Sequence, residues 1–392
     1  MNIAVFFGGK NTEHDVSIIT GQLIISGLKK IGHTVYPVYI AKDGKWYIDE
    51  RMDNVEFFKP FNSKGLGEFN LNMSQNLDGS LTIKTSGLFP KTYKIDLAFP
   101  AIHGKNGEDG TIQGMFEMLN IPYVGCGVVA SGIAMDKVLT KLFYQRFNFP
   151  TTKFVHFTTQ EWQEKKDSLL KEINNTLTWP VFVKPARLGS SIGMTKVKSE
   201  DDLEFAIEVA LHYDNKVLVE ESVEDLMDVT VCLIGNQNPR YSLIQESAFS
   251  SDFFSYEDKY LNEGGAQLGN AEKSIVIPAR LDEKTTQEIR EMASEIYMLM
   301  GMSGIARVDF LYNKTYKKFY ANEINTLPGT LYYHLWKKSG IELDDLLKML
   351  VDFALEKKKE DDKLTYTFES TILKSANSNK LQLKGGQNSS KG

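Results

Sequence analysis

Residues 1–40 narrow the choice of fold more than any other stretch. Ile3–Phe7 is a short apolar run ending at Gly8-Gly9, and a polar loop follows. Apolar residues then recur at helical spacing over 16–31, before the β-branched and aromatic run 34–40. A strand, a helix and a strand in that order read as a β–α–β unit, whose two strands run parallel. Parallel strands need helices over their faces, so the chain is read as α/β.

The rest of the chain continues the alternation. Residues 42–95 mix Asn, Lys, Gly and aromatics and read as an insertion of short antiparallel strands. The reading then gives a strand at 95–100, a helix at 110–119 and a third parallel strand at 121–124. A helix over 135–147 ends before Pro150, which marks a boundary. Strands at 179–184 and 194–197 flank the polar loop PARLGSSIG, followed by a helix at 201–211 and a strand at 216–220. The polar loop 250–274 is long enough to be functional. A helix at 283–300, strands at 306–312 and 318–323 and a helix at 344–356 come next. A strand at 364–372 and a Ser/Asn/Gly/Lys tail complete the reading.

At 392 residues the chain has room for two to three domains of roughly 150 residues. Two cysteines, Cys126 and Cys232, cannot frame a disulfide scaffold, and they read as small buried apolar groups in a reducing compartment. No apolar stretch approaches the roughly 18 residues needed to span a bilayer, and the first residues lack the basic segment of a secretion signal. The expectation is a cytoplasmic enzyme with no membrane partner. A net charge of −6 also counts against nucleic acid as a partner.

Five segments are candidates for chemistry. GCGVVA (Gly125 to Ala130) fits a dinucleotide fingerprint, but the ribose-binding acid expected about twenty residues on is missing. A tight strand-to-helix turn explains its glycines better. No phosphate loop of the G-x-x-x-x-G-K-S/T type occurs. In VKPARLGSSIGM (Val183 to Met194) small residues free a run of backbone N–H groups for phosphate oxygens, and the Lys184 ammonium stands at the strand end. RVDF (Arg307 to Phe310) and NEIN (Asn322 to Asn325) lie on two strands joined by a short loop. Period two puts Glu323 and Asn325 on one face, and Asp309 can oppose them across the hairpin. Those hard oxygens suit magnesium that also holds substrate phosphates. His103 in FPAIHGKNGEDG is a candidate base, though a structural hydrogen bonder is the better reading.

Taken in order, FFGGKNTEHDVS, FPAIHGKNGEDGTIQGMFEMLNIPYVGCGVVASGIAMDK, FVKPARLGSSIGM, YEDKYL, GIARVDF and NEINTLPG resemble the D-alanine–D-alanine ligases of the ATP-grasp superfamily. The resemblance runs from residue 3 to near residue 356, leaving out 45–95 and the stretch after 357. It implies a three-domain ATP-grasp fold. An N-terminal parallel-sheet domain would span 1–127, a central subdomain 128–220, a C-terminal subdomain 221–358 and a polar tail 359–392. It also implies the reaction: ATP phosphorylates one D-alanine, and a second D-alanine amine attacks the acyl phosphate, feeding peptidoglycan synthesis.

Residue roles follow from the same resemblance. It gives Asp309, Glu323 and Asn325 to a pair of magnesium ions, with manganese as substitute. It gives Lys137, Lys184 and Ser191 to the phosphates and Lys259 to a lid formed by 250–274. Glu220, Glu221 and Val223 fall at the adenine and Asp228 at the ribose. Arg307 and the Gly329 N–H would hold the tetrahedral oxyanion. Glu13 would take the first substrate's ammonium, with Ser190 and Tyr260 as hydrogen-bonding partners. His103, Thr330 and Leu331 complete the substrate site, and the assembly would be a homodimer. Tyr260 goes with an amino-acid nucleophile, since relatives that make depsipeptides carry another residue there.

The segment between Pro328 and Gly340 is a few residues short of the family pattern, and the Ser-Leu pair for the second carboxylate is absent. If the gap lies before Thr330, Thr330 replaces that serine; if later, His334 does. D-serine or another small amino acid therefore becomes an alternative second substrate. A catalytically silent ATP-binding regulator and a nicotinamide dehydrogenase are the rival readings. The first would predict lost metal ligands or a lost Arg307, and neither loss is seen.

Overall fold

The computed structural model describes residues 1–71, 79–87, 89–247 and 275–375. The loop 250–274, with Lys259 and Tyr260, lies outside the described residues.

The expected β–α–β unit forms. Strand β1 (Asn2–Gly8) and β2 (Thr34–Ile40) pair in parallel from Asn2↔Thr34 to Gly8↔Ile40, with helix α1 (His14–Lys30) between them. Residues Ile3 to Phe7 are fully buried, as a strand covered on both faces requires. Strand β3 (Trp46–Ile48) adds an antiparallel edge. The insertion is antiparallel as read: β4 (Phe69–Leu71), β5 (Leu81–Thr85) and β6 (Thr92–Ile95) form their own sheet. Strand β7 (Leu97–Pro100) then returns parallel to β1, giving the order β3-β2-β1-β7. Residues 121–124 do not form the expected third parallel strand. They pair in parallel with β7, as expected, but only through one isolated bridge, Ala98↔Tyr123, while Ile121 and Tyr123 are buried in the core with Phe6 and Phe116.

Helix α2 (Thr111–Met118) is followed by α3 (Val128–Met135) and α4 (Lys137–Arg146). The expected single helix from 135 is interrupted because Asp136 takes an extended conformation. Its carboxylate accepts from the Val138 and Leu139 N–H groups, capping α4 one residue before Lys137. Strand β8 (Phe154–Thr158) and helix α5 (Thr159–Thr176) were not anticipated. A capping box between Thr158 and Glu161 starts α5. Strands β9 (Val181–Pro185) and β10 (Thr195–Val197), helix α6 (Leu203–Tyr213) and strand β11 (Lys216–Glu221) follow. The sheet order is β10-β9-β11-β8, all antiparallel.

The largest sheet is built from β12 (Leu226–Gly235), β13 (Arg240–Ser247), β14 (Ile275–Val276), β15 (Gly304–Asn313) and β16 (Lys318–Asn325), in the order β14-β13-β12-β15-β16. Helix α7 (Glu283–Leu299) packs on the face carrying Val229, Val231, Ala306 and Val308. Cys232, Ile234 and Ile305, on the opposite face, join the core shared with β1, α1 and the closing helices α8 (Tyr333–Lys338) and α9 (Leu343–Asp361). Among the described residues no helix is long and apolar enough to cross a membrane. The expected strand at 364–372 does not form. Leu364, Tyr366 and Phe368 are exposed there, with no partner strand among the described residues.

The GCGVVA turn is an anchor for β15. Ser303 Oγ donates to the Gly125 carbonyl at 2.9 Å, and Cys126 Sγ points at the Ser303 carbonyl. Gly304 sits at φ +71°, and a Cβ there would stand 2.8 Å from Gly125 backbone atoms. Gly304→Ala should therefore destabilise the protein by about 2 kcal/mol through strain and overpacking, read as a lower urea midpoint at unchanged slope.

Candidate functional site

The β15–β16 hairpin sets the centre. Its register pairs Arg307 with Asn325 and Asp309 with Glu323, and a bulge follows Asp309. Arg307 and Asp309 are both nearly fully buried. The guanidinium grips the carboxylate through Nε, at 2.9 and 3.0 Å, and Nη2, at 2.7 Å. Thr230 Oγ1 on β12 and Asn325 Nδ2 also donate to Asp309, at 2.7 and 3.2 Å. Burial alone would lower the Arg307 pKa, but the adjacent carboxylate raises it well above the usual value, so the side chain stays a cation. Its other face lies on the Tyr332 ring, 5.0 Å from the centroid.

Glu13, just before α1, faces this centre across a cleft. It is buried, and Ser190 Oγ donates to its Oε1. Two glycines make room for it. A Cβ at Gly104 would lie 2.5 Å from Oε2, and one at Gly189 3.0 Å from both oxygens. Ser190 and Ser191 hold positive φ, turning their backbone N–H groups around the loop after β9. The cleft is lined by Glu13, His103, Ser190, Arg307, Asn325 and Gly329, among others. His103 is buried with Nε2 at 2.8 Å from Thr20 Oγ1, which in turn accepts the Thr330 N–H at 3.0 Å. That is the structural role its sequence context suggested, at the wall of the cleft.

A second cleft lies between the four-stranded antiparallel sheet and the five-stranded sheet. Lys137, Lys184, Ser191, Glu220, Glu221, Val223 and Asp228 all line it, so every described residue assigned to a nucleotide falls here. The two clefts share Lys137, Gly189, Ser190 and Glu323. A phosphoryl group at that junction would meet both ligand sets.

Glu220 is fully buried between two lysines, with Lys141 Nζ at 2.6 Å and Lys184 Nζ at 2.5 Å. Burial would raise its pKa, but the two ammoniums hold it well below the usual carboxylate range. Sequence reading missed Lys141. The available signal was its spacing, since i and i+4 from Lys137 share one helix face. Thr152, Thr230 and Gln245 were also missed, having no motif to mark them.

Among the described residues no group of three or more His, Cys, Asp or Glu side chains could hold a metal alone. Asp309, Glu323 and Asn325 offer only hard oxygens, from two carboxylates and a carboxamide. That set suits magnesium completed by substrate phosphates and water.

The shortened segment corrects one expectation. Leu331 does not line either cleft: its side chain is fully buried in the core with Leu335 and Trp336. Thr330 lines neither cleft either: its N–H donates to Thr20 Oγ1 and its hydroxyl to the Gly329 carbonyl. His334 Nε2 lies 2.7 Å from Gln245 Oε1, and because an amide oxygen only accepts, Nε2 carries the proton.

Two family descriptions match the chain: "D-ala D-ala ligase N-terminus" over residues 2–126 and "D-ala D-ala ligase C-terminus" over 143–352. The D-alanine–D-alanine ligase of Thermosipho melanesiensis is 36% identical over 374 residues, 95% of this chain and 98% of that protein. That of Thermoanaerobacter sp. is 38% identical over 368 residues, 91% and 97%. Among solved structures, the D-alanine–D-alanine ligase of Coxiella burnetii matches with a TM-score of 0.76 at 26% identity, covering 93% of this chain and 96% of that one. The VanG D-Ala:D-Ser ligase of Enterococcus faecalis matches at 0.75 and 32% identity, covering 90% and 99%.

Burial first, and Arg307 second, push the His334 pKa down to about 4 from 6.5. The unfolded chain protonates this histidine below about pH 6.5, while the folded protein resists until about pH 4. Stability should therefore fall by up to about 3 kcal/mol as pH drops through that window. His334→Gln should flatten that slope, measured as urea midpoints from pH 7 to pH 4.

Proposed function

The chain belongs to the D-alanine–D-alanine ligase family, and from that premise we propose how its residues perform the reaction. It has the ATP-grasp fold and is an ADP-forming ligase that joins two D-alanines for peptidoglycan synthesis. The observation that carries the residue assignments is the pair of clefts meeting at Lys137, Ser190 and Glu323. One presents an ammonium receptor and an oxyanion site, and the other presents cations for a polyphosphate.

Glu13 receives the ammonium of the first D-alanine, seated by the Gly104 and Gly189 backbones and fixed by Ser190. That aims the substrate carboxylate at the junction, where the phosphoryl group arrives. A carboxylate is a poor electrophile, and phosphorylation supplies its leaving group. Lys137 and Lys184 hold the phosphates, while Glu221, Val223 and Asp228 line the nucleoside end. Asp309, Glu323 and Asn325 would hold magnesium, whose charge would offset that of the phosphoryl group in transit. When the second amine attacks, the acyl oxygen becomes an oxyanion, which Arg307 and the Gly329 N–H receive. Arg307 is already oriented by Asp309 beside it and Tyr332 beneath it.

We divide the chain at 127, 220 and 358. The parallel sheet, the four-stranded antiparallel sheet and the five-stranded sheet support the three parts, although α9 runs on to Asp361. ATP supply supports a cytoplasmic setting. One observation favours D-serine as a further second substrate: the shortened loop draws Leu331 into the core, leaving the second pocket without that side chain.

Phosphate release from ATP with magnesium should require D-alanine, and mass analysis should find D-alanyl-D-alanine. Added D-serine yields a mixed product only if the second pocket admits a hydroxyl, and no release with any amino acid would overturn the ligase assignment. Arg307→Ala should lower kcat by about 10²–10³-fold with ATP affinity within a few fold. A wild-type rate would remove Arg307 from the oxyanion site.

A further inference from the structure

The two lysines on Glu220 occupy different positions. Lys184, on β9, lines the nucleotide cleft and contacts Glu220 Oε1. Lys141, one helical turn after Lys137 on α4, lines neither cleft and is 2% exposed. Its three N–H donors all have protein acceptors: Thr151 Oγ1 at 2.9 Å, Thr152 Oγ1 at 2.7 Å and Glu220 Oε2 at 2.6 Å. Thr152 Oγ1 in turn donates to Glu220 Oε2 at 2.6 Å. Thr151 Oγ1 donates to the Ala321 carbonyl on β16, two residues before Glu323. Lys141 is thus spent on the protein and cannot reach a nucleotide, while Lys184 can exchange partners.

We propose that Lys141 is a positioning residue for nucleotide binding: it is the permanent counter-ion of Glu220, so that Lys184 can leave Glu220 for the phosphates. Without Lys141, moving Lys184 to a phosphate would strand a fully buried carboxylate, and that penalty would fall on ATP binding. With Lys141 in place, Oε2 stays paired while Oε1 is released toward the nucleoside end of the cleft, as an anionic acceptor suited to an amino group. Burial lowers the Lys141 pKa, and the adjacent Glu220 carboxylate opposes that shift.

This inference rests on reading the cleft as the ATP site, and the test separates the two. Binding of ATP with magnesium is measured by calorimetry, beside kcat and the KM values for ATP and D-alanine. Lys141→Met should raise the ATP Kd and KM by about tenfold or more, with the KM for D-alanine little changed. In a Glu220→Gln background the same Lys141→Met change should add almost no further loss, because there is no carboxylate left to strand. That second comparison stands even if the single variant fails to fold. A folded Lys141→Met protein with wild-type ATP affinity would overturn the proposal, as would an equal loss in both backgrounds. Lys184→Met should weaken ATP binding in every case. If it does not, the nucleotide reading fails and the inference with it. If only the Lys141 effect is missing, the inference alone fails.

Discussion

Were β16 to slip by one residue against β15, Glu323 and Asn325 would turn away from Asp309, and the proposed magnesium ligands would be parted. The register is held from the other face. Val308, Phe310, Ala321 and Ile324 are buried in the core under α7, so a slip would also expose apolar side chains. On β12, Thr230 stands directly opposite Asp309 and donates to it, while Val229 and Val231 face the α7 core. The sheet therefore separates functions by face. One side supplies burial, and the other supplies a polar strip between two apolar cores.

That polar strip is costly unless each charge is matched. Isolated buried ions lose several kcal/mol of solvation, and pairing recovers this only with good geometry and filled hydrogen bonds. Arg307 and Asp309 meet the condition with a forked contact, and Glu220 does so with two lysines and a threonine. Asp136 does so with Lys216 and the start of α4, which fixes where Lys137 and Lys141 point. Such pairs add little net stability. What the Arg307–Asp309 pair contributes is orientation, with its charges fixed before substrate arrives.

The hairpin was legible in the sequence because polar residues at period two interrupt two apolar strands joined by a short loop. The partnership of Glu13 and Ser190 was visible only through family resemblance, since 177 residues separate them. Residues 121–124 and 364–372 misled for a common reason. Local β-propensity says that a segment can be a strand but not how much of a neighbouring edge it will pair with: 121–124 meets β7 at one bridge only, and 364–372 meets no strand among the described residues. Strand β12 went unread although it is central, because two buried faces leave no alternation to detect. Lys141 was hidden differently: on an exposed helix the same lysine would be an ordinary solvated charge, and only the packing of α4 against β11 and β16 makes it otherwise.

The shortened loop after Gly329 concentrates strain beside Arg307. Thr330, Leu331 and Tyr332 take φ values of +49°, +55° and +51°, a conformation that side chains with a Cβ avoid at roughly 1 kcal/mol or more each. Three in succession persist only if the surroundings over-determine them. Leu331 and Tyr332 are almost wholly buried, and the Thr330 N–H is taken by Thr20. Burial of a leucine and a tyrosine is worth several kcal/mol, enough to offset the strain. The geometric result is a tyrosine ring pressed beneath the Arg307 guanidinium, opposite the carboxylate that grips its edge. A longer loop could relax the backbone, but it would no longer have to place that ring, and Arg307 would lose one of the two surfaces that keep it still.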